Sequence, residues 1–149
     1  MKKISLLLVV CIILLSGCSA AESVINEIDD QISNVVQSTD PYVVTIQNAN
    51  MNGTEYTYKE VFDNFFAYPT WKHFTSDDGQ EVVEFTGECT YDNQQVKALV
   101  QFLITSETDD YIEWEATYLS FNNVSQPMIM LSALFEKAII EYDTEAASE

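Results

Sequence analysis

The chain has 149 residues, with 24 Asp plus Glu against 6 Lys plus Arg, no arginine, and a formal charge of −18. A protein that coats DNA or RNA needs cations to neutralise phosphates, so that class is excluded. Hydrophobic residues make up 47% and aromatics 12%, enough to build a core and too many for a long acidic disordered tail.

The N-terminus reads as a leader. Lys2 and Lys3 form a short basic region, and residues 4–15 are apolar except for Ser5. A run of about 12 suits a signal peptide and is too short to span a bilayer as a mature helix. It ends in Leu15-Ser16-Gly17-Cys18. That motif resembles the lipobox of bacterial lipoproteins: a leucine, two small residues, then cysteine. The resemblance implies cleavage between Gly17 and Cys18, with residues 1–17 removed and Cys18 acylated on sulfur. Processing then leaves 132 residues, with 24 acids against 4 lysines and a charge of −20. Cys11 leaves with the leader and Cys18 carries lipid, so Cys89 is the one remaining thiol and no intramolecular disulfide forms. Each buried lipid CH₂ contributes about 0.8 kcal/mol, so two or three acyl chains (palmitate-like) hold such a protein at the membrane.

Residues 18–40 hold the lipidated cysteine and a polar tether. Val24, Ile25, Ile28, Ile32, Val35 and Val36 recur near helical spacing. A flexible spacer with transient helix and a packed amphipathic helix both fit; a loosely ordered helical tether is the favoured reading. Docking on the membrane surface is disfavoured, because the polar side carries Glu27, Asp29 and Asp30 and no lysine. Asp40-Pro41 is expected to end it.

The globular domain is expected over residues 41–143. Residues 42–46, β-branched and aromatic, read as a short strand, and residues 48–53 as a polar loop. Thr57 and Glu60 have the spacing of a capping box, opening a short helix whose apolar face is Val61, Phe62, Phe65 and Phe66. Pro69 is expected to end that helix. Residues 71–74 read as a strand and Asp77-Asp78-Gly79 as a turn. In residues 82–91, Val83, Phe85, Gly87, Cys89 and Tyr91 share one parity, while Val82, Glu84, Thr86, Glu88 and Thr90 share the other. That alternation marks a half-buried strand. Asp92-Asn93 makes a turn, after which Val96, Ala98, Val100, Phe102 and Ile104 face inward. A polar turn at residues 106–110 leads to a strand with Ile112, Trp114, Ala116 and Tyr118 on one parity.

Ser125-Gln126-Pro127 reads as the start of a long helix, with Ser125 as cap. Leu131, Leu134, Phe135, Ala138, Ile139 and Tyr142 form its continuous stripe. Residues 144–149 read as an acidic, frayed tail. The predicted class is therefore α+β: an antiparallel β-meander with a short N-terminal and a long C-terminal helix packed on one face. Leu99, Leu103, Leu119 and Phe121 lie on parities expected to face away from the core, as a second apolar surface for the tether or a partner.

The residues Phe65-Phe66, Pro69, Trp71, Phe74, Val82-Val83-Glu84-Phe85-Thr86-Gly87, Cys89-Thr90-Tyr91, Val96-Lys97-Ala98 and Gln101-Phe102 resemble an uncharacterised domain of bacterial exported and membrane-tethered proteins. Some of those carry a zinc ribbon and a membrane anchor ahead of the domain; this chain has neither a ribbon nor that anchor. The resemblance covers residues 55–142, implies an extracytoplasmic location, and brings no catalytic residues.

No residue set here points to catalysis. His73, the single histidine, reads as a solvent-facing residue at a strand edge. Cys89 reads as a buried structural thiol. Glu84 with Glu88, and Glu113 with Glu115, share strand faces; such pairs serve glycosidases, but in so acidic a chain they read as solvated faces. The acidic turns at 77–79 and 107–110 lack the ligand pattern of an EF-hand, and one histidine with one thiol does not make a zinc site. No metal or cofactor is expected. The expected function is a non-enzymatic lipoprotein, held outside the cytosol at the cell membrane or outer membrane, whose acidic domain binds a macromolecular partner at the cell envelope, a protein for which a basic surface is one candidate feature. The alternatives are a small-ligand module and, further off, a carboxylate-dependent glycan hydrolase.

Overall fold

The computed structural model describes residues 39–148, and these begin with a helix where a strand was expected. Helix α1 spans Pro41–Asn48. The Asp40 carboxylate accepts from the Tyr42 and Val43 amides at 3.0 and 3.1 Å, and Pro41 occupies the first turn, where no amide hydrogen is required. Asp40-Pro41 therefore starts a helix. Val43 and Ile46 are both fully buried. Three residues apart, they share a helix face; on a strand they would point to opposite sides. Gly53, at φ +76, turns the following loop, and Met51 from that loop plugs the core at 0% exposure.

Helix α2 spans Tyr58–Phe65 and carries the expected capping box. The Glu60 amide donates to the Thr57 hydroxyl at 3.2 Å, and the Thr57 amide donates to the Glu60 carboxylate at 2.8 Å. Those bonds hold the Glu60 carboxyl below its ordinary range. Tyr58, Val61, Phe62 and Phe65 form the buried face.

A five-stranded antiparallel sheet follows in simple meander order. Its strands are β1 Ala67–Thr75, β2 Glu81–Tyr91, β3 Gln94–Glu107, β4 Ile112–Phe121 and the short β5 Val124–Ser125. Pro69 does not end α2; it lies within β1, an edge strand that tolerates a missing amide. A bulge there leaves Tyr68 at φ +54 and 80% exposed. Asp92-Asn93 and Asn122-Asn123 both have positive φ, the geometry of tight two-residue hairpins. Ser125 belongs to β5 and caps nothing; helix α3, Met128–Ala146, starts behind Pro127 without a side-chain cap. It runs through the segment read as the start of a frayed tail. Asp143 accepts from the Tyr56 hydroxyl and Glu145 from the Asn64 amide, which ties that end to the loop before α2 and to α2 itself.

The helices cover one sheet face, so the class is α+β as expected, with one more short helix than foreseen. The core pairs Val83, Phe85, Val100 and Phe102 of the sheet with Phe62, Leu134, Phe135 and Ala138 of the helices. Leu119 and Phe121 also belong to it, contrary to their parity. Phe102 pairs with Ala116 while Gln101 pairs with Tyr118, so Thr117 is an extra residue and β4 changes phase there. Tyr118 consequently joins Gln101 on the helix-free face, where Leu99 and Leu103 stand as expected. Among the described residues no helix is long and apolar enough to cross a membrane.

Candidate functional site

In a meander, the β1–β2 and β3–β4 turns fall at the same end of the sheet. Here that end collects Asp77, Asp78 and Glu81 from one hairpin and Glu107, Asp109 and Asp110 from the other. Asp40, at the start of α1, joins them through His73. No lysine lies in either turn. Asp77, Asp78, Asp109 and Asp110 are all exposed.

His73 is not the solvent-facing residue expected from β1. Its side chain is 18% exposed and bracketed by two carboxylates. Asp40 Oδ2 lies 2.9 Å from Nδ1, and Glu81 Oε2 lies 2.6 Å from Nε2. Only the doubly protonated ring can donate to both. The Tyr42 ring lies 4.4 Å from the imidazole, and its hydroxyl donates to Glu107 at 2.7 Å. That bond, ahead of desolvation, pushes the Tyr42 hydroxyl up to about 12, because ionisation would set an anion against the carboxylate. Thus α1 is clamped to both acidic hairpins. Because both ring nitrogens are engaged with carboxylates, neither is directed at a hydroxyl or thiol as a catalytic base would be. The partners of His73 stand 33 and 8 residues away in sequence, a pairing that periodicity does not reveal.

The other sequence candidates do not converge on this end. Cys89, on β2, is 5% exposed and shares a cleft with Phe65 and Phe66 at the end of α2 and Lys137 of α3. Burial raises its thiol to about 11, with Lys137 lowering it and Glu141 raising it by smaller amounts. At pH 8 the thiolate is therefore about 100-fold scarcer than on the unfolded chain, and alkylation by iodoacetamide is expected to be slower by about that factor. The sign for stability follows. The unfolded thiol ionises near 9 and the folded one near 11, so the unfolded chain releases its proton first as pH rises. This contribution is full below pH 9 and is lost as pH climbs through 11. Denaturation at pH 8, 9 and 10 is expected to show a steeper fall for the native chain than for Cys89→Ala; parallel curves would contradict it.

Glu84 departs from the solvated-face reading. It is 7% exposed, its two oxygens meeting Lys72 Nζ at 2.7 Å and Gln101 Nε2 at 2.8 Å. The three residues form one row across β1, β2 and β3, so the longer neighbours close over the carboxylate from both sides. Glu88 is half-buried, while Glu113 and Glu115 are exposed on β4. Among the described residues, no group of three His, Cys, Asp or Glu is arranged to hold a metal ion. Cys18, Gly17 and the tether through residue 38 lie outside the described residues. No family model matches this chain, and no curated protein or solved structure matches it.

Proposed function

We propose that the chain is a non-enzymatic lipoprotein, anchored through Cys18 at the cell membrane or outer membrane, whose acidic domain captures a basic protein outside the cytosol. Two features support this reading. The order of basic region, apolar run, small residues and cysteine at residues 2–18 is that of a lipidated export signal. The observation that carries the partner assignment is the gathering of seven carboxylates at one end of the sheet, with His73 as the single basic side chain among them. Such a field accelerates encounter with a basic surface and fades as salt screens it.

The test is capture of envelope proteins by the lipidated chain at low salt and at about 1 M, where the screening length falls to about 3 Å. A basic partner is expected at low salt and lost at high salt. Neutralising the turn residues (Asp77→Asn, Asp78→Asn, Asp109→Asn, Asp110→Asn) is expected to abolish capture. Neutralising Glu136 and Glu141 on α3 is expected to leave it. Equal loss from both sets would overturn the assignment to this end of the sheet. Mass spectrometry of the membrane fraction is expected to find an acylated Cys18 at the N-terminus; an intact, unmodified leader would overturn the anchor.

A further inference from the structure

Lys72 and His73 are neighbours on β1 and therefore point to opposite faces of the sheet. Lys72 pairs with Glu84 on the helix-free face, while the His73 ring turns towards α1, where the Tyr42 ring lies 4.4 Å from it. Three packed elements each present an acid to this cluster. Asp40 comes from the start of α1, Glu81 from β2, and Glu107 from β3 through the Tyr42 hydroxyl. No lysine among the described residues pairs with any of the three, since Lys59 meets Asp63, Lys72 meets Glu84 and Lys137 meets Glu141. A ring proton is the positive charge that this cluster can gain or lose.

The two sides of the ring are held differently. Glu81 also accepts from the Thr75 hydroxyl, at 3.0 Å to each oxygen, and the two residues are partners in the β1–β2 register. Asp40 Oδ2 meets His73 Nδ1, and Asp40 Oδ1 caps α1 through the Tyr42 and Val43 amides. One carboxylate thus belongs to a laddered hairpin and the other to the first turn of a short helix. A neutral imidazole carries one N–H and one bare lone pair. The nitrogen that loses its proton would face a carboxylate oxygen at 2.9 or 2.6 Å with no hydrogen between them, and two acceptors so placed repel. The hairpin is fixed by its ladder, so the side that yields is α1. Val43 and Ile46 stay seated in the core, which confines the opening to the first turn.

We propose that His73 is a proton-operated latch on α1: with both ring nitrogens protonated it pins the helix cap to the β1–β2 hairpin, and on losing one proton it lets the first turn go. Rising pH opens the latch. The Tyr42 hydroxyl, held up to about 12, keeps its proton near neutrality, so its bond to Glu107 does not move with the switch. Helix α1 is the first element of the domain, and the latch therefore sets how firmly the chain is held where it enters the fold. This device does not depend on what the acidic end captures.

The test is a pH series from 5.5 to 8.5 on the full-length ¹⁵N-labelled chain in detergent micelles. The ring ¹⁵N shifts of His73 report its protons directly. The Val44 amide, bonded to the Asp40 carbonyl at 2.9 Å, reports the first turn through its hydrogen-exchange protection factor, in which the intrinsic rise of exchange with pH cancels. Losing one charge-assisted bond is expected to lower that factor by about tenfold. The fall is expected at the same midpoint as the ring titration, while Leu134 on α3 keeps its protection. His73→Gln, which cannot carry the charge, is expected to leave Val44 weakly protected at every pH. Asp40→Asn keeps a good helix cap but removes the carboxylate facing the ring, and is expected to uncouple Val44 from the ring titration. A ring that does not titrate in this series would make the contact a fixed clamp and overturn the latch. Constant Val44 protection across the ring titration, a native pH dependence in either variant, or an equal fall at Leu134 would overturn it as well.

Discussion

Phe62→Ala is expected to destabilise the domain by about 3–5 kcal/mol. Phe62 is fully buried on α2 and meets five other rings. Its centroid lies 4.5 Å from Phe85, 5.2 Å from Phe66, 5.5 Å from Tyr58 and from Trp71, and 5.7 Å from Phe135. Those rings belong to α2 and its C-cap, β1, β2 and α3, so one truncation opens a cavity shared by both layers. Rings held in such a network of stacked, tilted and edge-on contacts refill the space poorly, because each is fixed by its other neighbours. Domains of this size are typically stable by about 5–15 kcal/mol, so the loss removes much of the margin. Urea titration is expected to show a lower midpoint with an unchanged slope. A loss under about 1 kcal/mol would mean that Phe62 is not the hinge between the layers.

Gly87→Ala is expected to cost about 1–3 kcal/mol, although replacing a strand glycine ordinarily gains about 0.5–1 kcal/mol. Gly87 lies on the inward parity of β2, opposite Ala98. A Cβ built there would stand 2.7 Å from Phe66 Cβ and 2.9 Å from Phe85 Cζ. The first contact decides the sign, because a Cβ moves only with its backbone, and Phe66 is the C-cap of α2. At this glycine the C-cap of α2 lies too close to β2 to leave room for a Cβ. Phe66→Ala shortens the ring side chain but keeps its Cβ, so it relieves only the ring contact, 3.0 Å from Phe66 Cγ. A double-mutant cycle is therefore expected to show partial coupling. Gly87→Ala at or above native stability would show that the close approach is absent.

The acidic end collects charges from turns that antiparallel order brings side by side. Trp71 adds a cost that this site does not explain: its indole N–H is buried without a hydrogen-bond partner, and a donor left so typically costs about 1–3 kcal/mol.

Local chemistry was enough wherever a signal acts within a few residues. The Thr57–Glu60 box, the alternation of residues 82–91 and 96–104, the Asp92-Asn93 turn and the stripe from Leu131 to Tyr142 each announce their element, because caps, pleats and helix faces repeat over one or two turns. The α+β class follows from their order. Packing decided the rest. Residues 41–48 are too short for periodicity to separate helix from strand, and the Asp40 cap with the burial of Val43 and Ile46 selects the helix. The bulge at Thr117 moves Leu119 and Phe121 into the core and Tyr118 out of it, a change of phase written in no local pattern. Glu84 and His73 acquire their partners from neighbouring strands and from α1, so their charges are placed by register and contact. A residue's own neighbourhood in the chain sets its backbone preference; what its side chain touches is settled only when distant segments meet.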